Sequence, residues 1–174
     1  EEGAFPTSYI PTSGSTATRA ADVASIATSA FGYNQDEGTV FFEGQTFDVA
    51  STTRYYWELE EDSSNRLLVR SNSSSAVKVF SIEGGTTHVT SSVGNVQTAV
   101  AFIKCAFAFQ KDNFSASVDG GAVVTDTSGS VPDGISVLNI GSLSQTASFL
   151  SGHIKKIQYL PRRLSDTQLQ EITR

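Results

Sequence analysis

The sequence has no methionine and one cysteine, Cys105, among 174 residues. A lone cysteine excludes an internal disulfide and carries no message about redox compartment. Histidine occurs only as His88 and His153. Neither has another histidine, a cysteine or a carboxylate at transition-metal spacing, so no zinc ligand set is present and both are expected at the surface. No apolar run approaches the roughly 20 residues of a membrane span, which argues against membrane insertion. Positive charge is short as well: 12 Lys and Arg stand against 18 Asp and Glu, for a net charge of −6. That balance disfavours nucleic acid as a partner and supplies no basic patch for a membrane surface. The opening Glu-Glu-Gly is not a signal peptide, and the expectation is a segment of a longer protein.

Ser, Thr and Gly are abundant. Such a composition suits β-sheet with many turns and is common among extracellular adhesive proteins. The length fits one all-β domain. A chain of this size buries roughly 70% of its unfolded surface and needs no covalent staples.

Residues 1–17, with Pro6 and Pro11, are expected to be an extended linker or clasp, and 18–174 a single domain. Thr39 to Glu43 is rich in β formers. In Thr53 to Glu60, Thr53, Tyr55, Trp57 and Leu59 alternate with Arg54, Tyr56, Glu58 and Glu60, which predicts one core face and one wet face. A turn from Glu61 to Asn65 leads to a strand from Arg66 to Arg70, setting its arginines opposite Glu58 and Glu60. Val77 to Ile82 and Thr86 to Ser91 predict a hairpin through Gly84-Gly85. In the central strand, Thr98 to Gln110, Ala101, Ile103, Cys105, Phe107 and Phe109 form an apolar face. The opposite face carries Phe102, Lys104, Ala106, Ala108 and Gln110, where the alanines predict a shallow trough. Phe114, Ala116 and Val118 continue the core, Asp119-Gly120-Gly121 is a tight turn, and Ser136 to Gly141 is the last internal strand.

The C-terminal stretch, GHIKKIQYLPRRLSDTQLQEI from Gly152 to Ile172, reads as strand, corner and short helix. Ile154, Ile157 and Tyr159 give an apolar side with one slip that predicts a bulge. Pro161 ends the strand. Ser165 and Gln168 have capping-box spacing, and Leu164 and Leu169 staple spacing. So short a helix is marginal alone, so Leu169 and Ile172 must dock on a sheet.

This closing stretch resembles the last strand and helix of laminin-G-like, concanavalin-A-like jelly rolls. CAFAFQKDNFSASVDGGAVV resembles their paired central strands. The opening EEGAFPTSYIPTSGSTATRAADVASI resembles a segment of bacteriophage and prophage tail proteins that leads into such a domain. On that resemblance, and on the alternation of Ala21, Val23 and Ser25 with Asp22, Ala24 and Ile26, residues 18 to 27 are expected to be strand rather than helix. The resemblance implies an all-β, antiparallel two-sheet sandwich with a short C-terminal helix. It also implies a non-catalytic carbohydrate-binding or receptor-recognition module, in a virion tail or otherwise extracellular. It leaves open a homotrimeric parent protein and a structural calcium, for which Asn34, Asp36, Asp119 and Asp126 are candidates. A polysaccharide-cleaving enzyme of the same fold and a structural tail spacer are the alternatives.

Glu58, Glu60 and Asp62 invite a glycosidase reading, since two carboxylates about 5–5.5 Å apart can serve as acid and nucleophile. Yet Glu-Leu-Glu-Glu-Asp departs from the laminarinase-type pattern, and the strands of alginate lyases are missing. The plainer reading is an ion-pair ladder with Arg66 and Arg70. Cys105 falls in an apolar series and reads as a buried thiol rather than a nucleophile.

The ligand surface expected from alternation is the outward row of Arg54, Tyr56, Glu58, Arg70 and Lys104. Sugars take an aromatic platform, here Tyr56, together with planar polar groups such as Arg and Glu. If these strands share a sheet, the alanines form the floor of a groove for a glycan. Otherwise the row is a solvated face with ion pairs.

Overall fold

The computed structural model describes residues 13–16, 21–47, 53–95 and 101–174. Most of the expected clasp over 1–17 lies outside them. Two antiparallel sheets pack face to face. The six-stranded sheet has the order β1-β10-β3-β4-β5-β6. Its strands are β1 (Ala24–Ala27), β10 (Val137–Ile140), β3 (Arg54–Asp62), β4 (Asn65–Ser71), β5 (Ala76–Glu83) and β6 (Thr86–Asn95). The five-stranded sheet has the order β11-β2-β7-β8-β9. It holds β11 (Gly152–Leu160), β2 (Glu37–Thr46), β7 (Phe102–Gln110), β8 (Phe114–Val118) and β9 (Val124–Asp126). The architecture is the expected all-β sandwich. Among the described residues the first strand starts later than the alternation suggested, and the three-residue β9 was not anticipated.

Period-two patterning builds the core between the sheets. Val40 and Phe42 of β2 and Ile103, Cys105, Phe107 and Phe109 of β7 meet Trp57, Leu59, Leu67, Val69, Val77 and Val79 from the other sheet. Trp57 and Phe107 stack with centroids 6.2 Å apart. Cys105 is buried in this layer, and burial pushes its thiol up to about 12, which leaves no thiolate at neutral pH.

The helix α1 (Asp166–Ile172) fills the alanine trough. Ala106 and Ala108 are buried with Phe41, Leu164 and Leu169, while Val123, Leu160 and Ile172 close the edges of the cluster. Small side chains on β7 let the helix approach the sheet. The corner before it is fixed by polar groups. The Thr39 hydroxyl donates to the Arg162 carbonyl at 2.9 Å and accepts from the Leu164 N–H at 3.0 Å. Arg163 donates to Ser115 Oγ at 2.6 Å and to Asp166 at 3.0 Å. Ser165 caps the helix in a full capping box with Gln168. The expected bulge in β11 lies between Ile154 and Lys156.

Candidate carbohydrate-binding face

Helix α1 occupies the outer surface of the five-stranded sheet around β7 and β8. Among the described residues the six-stranded sheet has no helix on its outer surface, and its chemistry follows from register. Tyr55 pairs with Arg70, Glu58 with Leu68, and Glu60 with Arg66. On the next strand Arg70 pairs with Lys78, Leu68 with Phe80, and Arg66 with Ile82. These residues share the outward face. The Arg70 guanidinium lies 4.6 Å from the Phe80 ring centroid, a cation–π contact. Arg66 Nη1 donates to Glu58 Oε1 at 3.1 Å, while Arg66 Nε is buried with no partner among the described residues. The face thus combines the partly exposed Phe80 ring, the Tyr55 ring, which is only 8% exposed, two guanidiniums and a lysine.

A bulge corrects the expected row. Between Tyr55 and Trp57 the register of β3 slips by one residue against β4. Strict alternation would expose Tyr56. The extra residue instead turns both Tyr56 and Trp57 into the core, where Tyr56 stacks on Phe42 at 4.9 Å and 11°. Tyr55 takes the outward position. Arg54 falls before the bulge opposite buried Ser71, on the core side at the sheet's end. Lys104 belongs to the other sheet, where its ammonium donates to the Arg174 carbonyl. Of the five residues in the expected row, the structure brings only Glu58 and Arg70 onto one face. The alanine floor lies under the helix and is not part of that face.

Sequence reasoning left Tyr55, Lys78 and Phe80 out of the row and gave Arg66 only to the ion-pair ladder. Two signals pointed to them: three consecutive aromatics, Tyr55-Tyr56-Trp57, cannot all obey alternation, and Lys78 and Phe80 alternate with core residues Val77 and Val79.

Glu58 points outward, yet it is 0% exposed. The loop from Gly141 to Leu150 crosses over it. Ser144 N donates to Glu58 Oε2 at 2.8 Å, and Ser144 Oγ to Glu60 Oε2 at 2.8 Å. Asn139 Nδ2 donates to Glu60 Oε1 at 2.6 Å and reaches Glu58 Oε2 at 3.4 Å. Desolvation raises the Glu58 carboxyl above the ordinary carboxylate range, and the neighbouring Glu60 adds to this, while the Ser144 N–H and Arg66 oppose it. All four carboxylate oxygens therefore have donors, and neither acid is open to a substrate. The ion pair expected between β3 and β4 forms from Glu58 to Arg66. Glu60 is held by Asn139 and Ser144.

The calcium candidates make internal hydrogen bonds, in local turns for Asn34, Asp36 and Asp126 and to strand β7 for Asp119. Asn34 Oδ1 accepts from Asp36 N, Asp119 Oδ1 from Lys104 N, and Asp126 Oδ1 from Ser128 N and Oγ. Among the described residues no three of His, Cys, Asp and Glu gather as a cation site, and no helix is long and apolar enough to cross a membrane. His88 lies 3.8 Å from Glu83, and His153 bonds Gln45, both near the surface.

No family model and no curated protein matches the sequence. Solved structures do match. The CBM40 of a Ruminococcus gnavus IT-sialidase, bound to α2,3-sialyllactose, superposes with a TM-score of 0.69 at 13% identity, over 83% of this chain and 85% of that one. A heptameric SAP-like pentraxin from Limulus polyphemus gives 0.60 at 12% identity, over 79% and 70%. A toad ovary galectin in complex with thio-digalactose gives 0.55 at 14%, over 81% and 100%. The fold is the concanavalin-A-like jelly roll. At these identities the likeness is one of fold, and function must be argued from the site.

Proposed function

We propose that this chain is a non-catalytic glycan-binding module whose ligand is an acidic sugar, seated on the outer face of the six-stranded sheet. The Arg70–Phe80 pair, on a face with Tyr55, Arg66 and Lys78, carries the reading. A ring offers its flat surface to sugar C–H groups, and a guanidinium offers paired donors to a carboxylate or to vicinal hydroxyls. Glu58 and Arg66 pair with each other and Glu60 is held by Asn139 and Ser144, which leaves Arg70 and Lys78 as the cations that this face offers on a chain of net charge −6. That favours an anionic partner. Similar folds holding sialyllactose and thio-digalactose support the glycan class. Burial and full hydrogen bonding of Glu58 and Glu60 weigh against the hydrolase alternative, whose acid must reach the glycosidic oxygen.

We also propose, from the resemblance of the opening stretch, that the parent is a phage-type tail protein acting at a virion tail or cell surface in host-receptor recognition. Weak sites gain from repetition there. A single site is expected at a Kd of about 10 μM to 1 mM, and a homotrimeric parent would raise it by avidity. A glycan array probed with the purified chain tests the class. Retention of acidic glycans, lost with Arg70→Ala, supports it; an array without signal, or one indifferent to that substitution, refutes it.

A further inference from the structure

We infer that Glu58 is a positioning residue for the binding face and that the Gly141–Leu150 loop is the wall that sets which sugar fits it. This inference rests on the glycan reading above. One oxygen of Glu58 holds Arg66 and the other holds the loop through the Ser144 N–H. The same loop returns to the face, where the Ser148 carbonyl accepts from the Tyr55 N–H at 3.2 Å. Glu60 and Asn139 complete the fastening. A single buried cluster therefore sets two groups on the face, Arg66 and Tyr55, and the segment beside them.

The loop would not hold this shape unaided. Ser144, Gln145 and Ser148 have φ of 44°, 60° and 49°, a left-handed region costly for residues with a Cβ. The Leu143–Ala147 bridge closes the tip, and the carboxylates fasten it to the sheet. Two carboxylates side by side in a desolvated site add little net stability, but they fix geometry through charge-assisted bonds. The charged and titratable groups facing Glu58 are Tyr55 and Glu60 on its own strand and Arg66 on β4, and Arg70 acts on Tyr55. Lys78 follows one strand further, across from Arg70. Protonation of Glu58 weakens its hold on Arg66 and on the Ser144 N–H together. Any pH dependence of binding that runs through this carboxyl is therefore absent from Glu58→Gln.

The experiment uses the whole chain, with α2,3-sialyllactose as the acidic probe and lactose as the neutral one. Arg70→Ala, Glu58→Gln and Ser144→Ala are compared by titration at pH 7 and pH 5. Amide hydrogen exchange is measured without ligand. Glu58→Gln is expected to keep the fold, to accelerate exchange at residues 142–148, and to weaken sialyllactose binding about tenfold. Any difference in the parent's affinity between pH 7 and pH 5 should be absent from Glu58→Gln. If Arg70→Ala abolishes binding while Glu58→Gln matches the parent in affinity, exchange and pH profile, the positioning role is overturned and the glycan reading stands. If the parent binds neither probe and exchange at 142–148 is unchanged in Glu58→Gln, both fall.

Discussion

Tyr56 lies nearly parallel to Phe42 across the sandwich, ring centroids 4.9 Å apart and 11° between planes. This stack exists because β3 spends an extra residue at Tyr55–Trp57. The bulge decides which tyrosine serves the core and which serves the face. Tyr56→Ala is therefore expected to cost about 3–5 kcal/mol of stability, as for other buried aromatics. A denaturant midpoint close to the parent's would place Tyr56 on the surface after all.

The helix is expected to behave as part of the core. Leu169 is fully buried over Ala106 and Ala108, while Ile172 only closes the edge of that cluster. Leu169→Ala should cost about 2–4 kcal/mol, and Ile172→Ala distinctly less. Equal losses, or none at Leu169, would mean that the helix does not dock on the trough.

Most of the fold was legible in the sequence because alternation, turn residues and the capping box all report local geometry. Ser165 with Gln168 and the slip in β11 were readable from spacing alone. The alanines of β7 announced a trough, but nothing local said that the chain's own helix fills it. The face was half legible. Glu58 and Arg70 followed from alternation. Tyr56 did not, because the bulge puts Arg54, Tyr55 and Tyr56 on the faces opposite to those of strict alternation while leaving composition unchanged. Lys104 required knowing which strands share a sheet, which is a long-range fact. The burial of Glu58 required a loop more than 80 residues downstream in sequence, with Ser144 as its donor.

Glu58 makes stability depend on pH in a stated direction. Its carboxyl is held above the ordinary carboxylate range, mainly by desolvation. A raised folded-state value means that the folded chain binds more protons, so this contribution is full below the unfolded value of about 4.3 and is lost as pH rises through the folded value. Glu58→Gln removes the titration. The stability of Glu58→Gln relative to the parent should therefore rise with pH above about 4.3. A difference that is flat, or that falls over that range in parallel urea titrations, would contradict the desolvated carboxylate.

Lys104 separates the two sheets functionally. Its ammonium holds the C-terminal Arg174 carbonyl, on the surface opposite the proposed ligand. Lys104→Ala is expected to leave glycan affinity unchanged and to cost less than about 1 kcal/mol, as for other exposed polar contacts. Loss of binding in that variant, with the fold intact, would move the site to the helix-bearing sheet.

The central claim is that the Arg70–Phe80–Tyr55 face binds acidic glycan. The most direct measurement is a calorimetric titration of α2,3-sialyllactose into the parent, Arg70→Ala and Tyr55→Ala, with folding checked by thermal melts. Each substitution is expected to remove about 1–2 kcal/mol of binding, a fivefold to thirtyfold weakening, with little change in melting temperature for Arg70→Ala. Parent-like binding in both variants, with the ligand still bound elsewhere on the chain, would contradict the account.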